Sequence, residues 1–142
     1  ALVQADFWDG DPDIDAICRL SRRPEVKFAE FPPFGSTQMA PFNSQNTFLA
    51  REVLPRYAVI PGIGRMDDIW GSFIAQYHFP ESVVYNQATV YQQRNEQDLV
   101  KNLEEEVLGY RHTLELLCNP SEYERFLPAK ARRFMEAYFN AF

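Results

Sequence analysis

The sequence predicts an α/β fold, and three observations carry that prediction. Short strand-like pieces, at residues 2–7, Thr47 to Leu49, Val83–Val84 and Thr89 to Tyr91, alternate with helical stretches. A glycine-bracketed turn, Gly62-Ile-Gly64, opens directly into an amphipathic helix from Asp67 to about Tyr77. From about Asn95 to Leu117, apolar residues recur at gaps of three and four while charged residues fill the other positions, the pattern of a long helix packed on one side.

Taken in order, residues 2–7 read as a buried strand that runs into Asp9-Gly-Asp-Pro-Asp. Asp11 suits a helix N-cap, Pro12 the first helical position, and Asp13 and Asp15 the first turn, where unpaired amides favour acidic groups. Ile14, Ile17 and Cys18 then give a helical face that ends before Pro24. Residues 26–31 alternate as a strand or extended segment, and Pro32-Pro33-Phe-Gly breaks it. Ala50 to Leu54 reads as a helical turn closed by Pro55, and Tyr57 to Ile60 as a short apolar run closed by Pro61. In the helix that follows, Ile69, Phe73 and Tyr77, with Trp70 and Ile74 beside them, form an apolar stripe. In the long helix the same spacing selects Leu99, Leu103, Val107, Tyr110, Leu114 and Leu117, and leaves Glu104-Glu-Glu106 on a solvated face. Asn119-Pro ends it, Ser121-x-x-Glu124 has the form of a capping box, and a last helix begins near Pro128.

Composition narrows the function. With 142 residues the natural count is one domain, residues 1–142, with a helical tail from about 95 to 142. A hydrophobic content of 46% and an aromatic content of 15% belong to a chain with a packed core. A net charge of −6 with scattered basic residues argues against a nucleic-acid partner. No apolar run approaches the roughly 20 residues of a membrane span, and no secretory pattern is present, so the expected location is cytoplasmic. Cys18 and Cys118, on helices among apolar neighbours, are expected to be buried free thiols. The chain opens abruptly on Ala-Leu-Val-Gln-Ala and reads as a piece of something longer.

Several motifs fail on inspection. Counted from Asp9, an EF-hand loop would need glycine at its sixth position and glutamate at its twelfth, where Ile14 and Leu20 stand. His78 and His112 have no metal-ligand partner at short spacing. There is no nucleophile elbow, phosphate loop or dinucleotide fingerprint. What remains is the carboxylate pair Asp67–Asp68 at the mouth of the glycine turn, with Arg65 before it and Trp70 after it. Helix capping accounts for one aspartate; a pair beside an arginine suits acid–base work or hydroxyl binding.

Three pieces of the chain carry a family resemblance. They are the strand running into Ala5-Asp-Phe-Trp-Asp-Gly-Asp-Pro-Asp; Asn46-Thr-Phe-Leu-Ala-Arg51-Glu52; and Gly64-Arg-Met-Asp67-Asp68-Ile-Trp70-Gly, the specific one, close to a family pattern Gly-Arg-Tyr-Asp-Asp-Met-Trp-Ala. In this order they resemble the acceptor-side half of GT-A-fold nucleotide-sugar transferases, nearest to the UDP-arabinopyranose mutases (the reversibly glycosylated polypeptides) and the STELLO-type proteins. The segment from Arg94 to Glu106 is similar to the entry into that family's C-terminal helix. The resemblance implies a partial GT-A-like mixed sheet with flanking helices and a domain that acts on or binds a nucleotide sugar or sugar acceptor. Asp67 and Asp68 would be catalytic, Asn46 and Arg65 would bind substrate, and Trp70 would wall the pocket; Asp9 is a further substrate-binding candidate on separate grounds, since strand-to-helix turns line clefts in α/β folds. A carboxylate takes a hydroxyl proton as it attacks the anomeric carbon, and a guanidinium matches phosphate oxygens. The parent family implies a divalent Mn or Mg ion. Its metal-binding half has no counterpart here, and Tyr91-Gln92-Gln93 stands where the family often has a histidine, so no metal ligand is assigned. The rival expectation is a non-catalytic binding module, with a homodimer covering its exposed sheet as one arrangement. A third is a carbohydrate-binding domain stacking sugars on Trp8, Trp70 and Phe42.

Overall fold

The computed structural model describes residues 1–142. It shows an α/β fold: a four-stranded mixed sheet flanked by helices, with a long helix near the C-terminus. The strands are β1 (Val3–Gly10), β2 (Phe34–Gly35), β3 (Thr47–Leu49) and β4 (Val83–Gln92), in spatial order β2-β4-β1-β3. The central pair, β1 and β4, is parallel, with Val3 opposite Val83 and Ala5 opposite Tyr85. Both edge strands run antiparallel to their neighbours. Parallel pairing needs a long crossover, and everything from Asp11 to Ser82 lies within it, including α1 (Ala16–Ser21) and α2 (Asp67–His78). Helix α3 (Leu99–Cys118) follows β4, and α4 (Ala129–Phe139) closes the chain. Short 3₁₀ segments occupy Arg51–Arg56, Gly64–Met66 and Pro120–Phe126. No helix is long and apolar enough to cross a membrane.

Two apolar clusters meet at α2. The larger joins Trp70, Phe73 and Ile74 to Leu116 of α3, to Tyr123, Phe126 and Leu127, and to Ala131 and Met135 of α4. The smaller packs Val3, Ala5, Val83 and Tyr85 of the sheet against Phe42, Val53, Tyr57 and Ala75. Because α2 serves both, it is buried continuously from Trp70 to Gln76 rather than along one stripe, and Tyr77 is exposed. Its interior polar groups are satisfied. Ser72 Oγ donates to the Ile69 carbonyl and accepts from Phe42 N, while Gln76 exchanges hydrogen bonds with the Ala40 backbone.

Several expectations are corrected. The N-cap of α1 is Asp15, whose carboxylate accepts from Cys18 N, whereas Asp11 pairs with Arg19. Residues 26–31 form only a bridge, Val26 to Gly10, and the predicted break at Phe34-Gly35 is the edge strand β2. Ser121 makes no capping box; Asn119 occupies the cap and no side chain bonds there. The thiols are free, but Cys18 is only half-buried and Cys118 is exposed. The largest correction concerns α3. Its buried residues are Glu106, Gly109 and Leu116, while Leu114 is 80% exposed and Tyr110 48% exposed. The helix presents Gly109 and Glu106 to the turn Gly64–Met66, and of its apolar repeat Val107, Tyr110 and Leu114 face outward while Leu99, Leu103 and Leu117 are half-buried.

Candidate functional site

The glycine turn positions the site. Gly64 has a φ of +65°, and a side chain there would collide with the Glu105 carbonyl of α3. Gly109 is open for the same reason, since a β-carbon at that position would meet the Met66 side chain. These two glycines let the turn lie directly on α3. The close approach carries Arg65 to Glu106, with Arg65 Nε donating to Glu106 Oε1 at 2.7 Å.

Around this pair lies a cleft of about 480 Å³, bounded by Asp13, Ile14 and Asp15, by Arg65, Met66 and Ile69, and by the Glu106–Leu114 stretch of α3. Glu106 is 4% exposed and fully engaged. Besides Arg65, it accepts from Ala16 N at 2.7 Å and from the Tyr110 hydroxyl at 2.6 Å. The Tyr110 oxygen also lies 3.0 Å from Asp15 Oδ1. Partial burial opposes ionisation of Asp15, but hydrogen bonds from Cys18 N and Tyr110 outweigh it and hold the carboxyl below its ordinary value. Burial, then the bonds to Glu106 and Asp15, push the Tyr110 hydroxyl well above the usual phenol range. Asp13 lies between two guanidinium groups, 3.5 Å from Arg65 and 2.6 Å from Arg94, with the amides of Asn43 and Gln45 at 3.4 and 3.3 Å.

The predicted site residues do not all converge here. Arg65 does. Trp70 is completely buried and cannot wall a pocket; it acts from behind, donating its indole N–H to the Thr113 hydroxyl, which lines the cleft. Asp68 Oδ2 accepts from Ser44 N and Ser44 Oγ at 2.7 and 2.9 Å, anchoring a loop. Asp67 Oδ1 accepts from Asp68 N, and burial, with the neighbouring Asp68 charge, raises its carboxyl above the ordinary value. Neither aspartate lines the cleft. Asn46 donates to the Phe7 carbonyl and to Thr89, within a polar row on the sheet that includes Asp6. Asp9 accepts from Phe28 N and fixes the extended segment. Phe42 is buried against Tyr57 and presents no stacking surface.

Asp13, Arg94, Glu106 and Tyr110 were the residues missed. One sign of them was in the chain: Glu106 and Tyr110 are four apart with Gly109 between, and a glycine inside a long helix marks a close approach. No three His, Cys, Asp or Glu side chains gather closely enough to hold a metal ion.

No protein-family model matches the chain, and no curated protein matches it.

Proposed function

We propose that the chain is a glycosyltransferase-like domain that binds a sugar, free or as part of a nucleotide sugar, in the cleft between α1 and α3. One observation carries the reading. Arg65, in the stretch that resembles the transferases, faces a cleft combining apolar walls (Ile14, Met66, Ile69, Leu114) with carboxylates and hydroxyls (Asp13, Asp15, Tyr110, Thr113). A pyranose presents the same combination, C–H faces ringed by hydroxyls, and ligand pockets pair apolar lining with a few placed polar groups. Carboxylates accept from hydroxyls and a guanidinium donates to them. Asp13, held between Arg65 and Arg94, is the hydroxyl-binding carboxylate in this reading. Thermal melts with a panel of free sugars and UDP-sugars test it, since a ligand of the folded state raises the melting temperature. Leu114→Asp places a charge at an exposed cleft wall without touching the core. A sugar should stabilise the parent chain and not this variant; equal responses, or none in either, would overturn the reading.

A second reading, an interaction module, is favoured by exposed apolar side chains on α1 and α3: Ile17 at 55%, Leu20 at 52% and Leu114 at 80%. Sedimentation velocity over a concentration series tests its homodimeric form, and a monomer throughout would remove it.

A further inference from the structure

Arg94, which touches Asp13 of the first cleft, also lines a separate pocket of about 350 Å³ with a different chemistry. It is lined by Asp11, Arg19, Arg23, Arg94 and the Asn95–Gln97 segment, and its one apolar neighbour is Leu99. We propose that this pocket is a phosphoryl-anion site, formed by the guanidinium groups of Arg19, Arg23 and Arg94. The proposal does not depend on the sugar reading of the other cleft.

Four observations support it. The first is concentration of charge: three arginines share one small pocket in a chain whose net charge is −6. Planar guanidinium forks match the oxygens of a phosphate and bind them in pairs. The second is that Arg19 is built into place. It is 7% exposed, and Nη1 donates to Asp11 Oδ1 at 2.7 Å while Nη2 donates to the Pro12 carbonyl. Asp11 thus orients a cation that still has N–H groups to offer. The third is Arg94, whose side chain is only 11% exposed. Nη2 is paired with Asp13 Oδ1 at 2.6 Å, whereas Nε is buried with no hydrogen-bond acceptor. Buried donors of this kind are rare and costly, and a phosphoryl oxygen supplies the missing acceptor. The fourth is Arg23, exposed and in no ion pair, and so free to close over a ligand. The amide side chains of Asn95 and Gln97 add neutral donors at the rim, and the pocket reaches Leu99, the first residue of the 20-residue α3, whose dipole favours an anion there. Asp11 and Glu96 also line it; Asp11 is neutralised by Arg19, which leaves Glu96 as the one unpaired carboxylate. A volume of this size accepts a phosphate with a small group attached.

Isothermal titration calorimetry of the full chain, in a chloride buffer of low ionic strength, tests the site with inorganic phosphate and with pyrophosphate. Saturable one-to-one binding is expected, with a Kd on the order of 1 mM or tighter, stronger for pyrophosphate and weakened by added salt. Arg23→Gln, an exposed change that leaves the fold alone, should weaken binding by about fivefold. Arg94→Gln should abolish it, with circular dichroism checking that the variant is folded. Leu114→Asp, in the other cleft, should bind phosphate like the parent. Absence of saturable binding, or binding unchanged by Arg23→Gln, would overturn the proposal. Loss of binding in Leu114→Asp would place the anion in the sugar cleft and overturn it equally.

Discussion

Glu106 makes three contacts with two oxygens, and each couples a different part of the site: the first amide of α1, the Arg65 turn and the Tyr110 hydroxyl. Cutting it back leaves a partly buried guanidinium and a buried N–H without partners. Glu106→Ala should therefore destabilise the chain by about 3 kcal/mol, the low end for a buried ion pair because Arg65 is a quarter exposed. Urea denaturation of the variant checks this; a loss under about 0.5 kcal/mol, the range of surface changes, would mean that Glu106 is solvated. Asp67 gives the opposite prediction. Its carboxyl is raised by burial and by Asp68, so the folded state holds its proton more tightly than the unfolded chain does. The stability this group contributes is present at pH below its ordinary value and is lost as pH rises through the raised one. Asp67→Asn, which keeps an acceptor for the Asp68 amide, should raise the melting temperature at pH 7. The gain should vanish near pH 3, where the aspartate is neutral in both states. Melting curves of the two proteins across that range decide it, and a destabilised variant at pH 7 would show that the charge at Asp67 is needed.

Among the elements, α3 shows how spacing and burial part company. Leu114 belongs to the apolar repeat of the sequence yet stands 80% exposed, whereas Leu116, off the stripe's main line, is fully buried against α2 and α4. Leu116→Ala should cost about 2–5 kcal/mol and Leu114→Ala less than about 0.5 kcal/mol. Equilibrium denaturation of the pair tests the orientation of the helix, and a reversed order would rotate it. The turn before α2 makes an equally sharp prediction. Gly64→Ala combines a positive φ with a collision against backbone rather than a movable side chain. Strain of this sort costs on the order of 1–3 kcal/mol. It should also push the turn off α3, so that Arg65 and Glu106 separate. A double-mutant cycle between Gly64→Ala and Glu106→Ala reads that out: the second change should cost much less in the Gly64→Ala background.

For the molecule as a whole, the sharing of α2 between both clusters predicts one cooperative unit. Trp70 reports on the helical cluster and Trp8 on strand β1, while Val3, Val83 and Tyr85 tie the sheet to α2 through Ala75. Urea transitions followed by tryptophan fluorescence and by far-ultraviolet circular dichroism should coincide. Two separated transitions would mean that the tail from α3 onward folds apart from the sheet.

Local pattern was enough for the elements whose partners are close in sequence. The β1 strand, the 47–49 strand, the α2 boundaries and the start of α4 all follow from alternation, proline stops and glycine punctuation, because those signals act within a few residues. The α/β class follows from their alternation. The sheet order, the parallel β1–β4 pairing and the assembly of the cleft depended on contacts eighty or ninety residues apart, such as Val3 with Val83 and Ala16 with Glu106. Nothing in local propensity encodes them. The outward turn of Leu114 has the same origin: α3 meets a glycine turn carrying an arginine, so a buried ion pair and close backbone contact set its rotation and the apolar repeat does not. Arg65 could be picked from its motif, whereas Asp13, Glu106 and Tyr110 became its neighbours only through tertiary folding, since a charge repeat on a helix reads as solvated until a buried countercharge is brought against it.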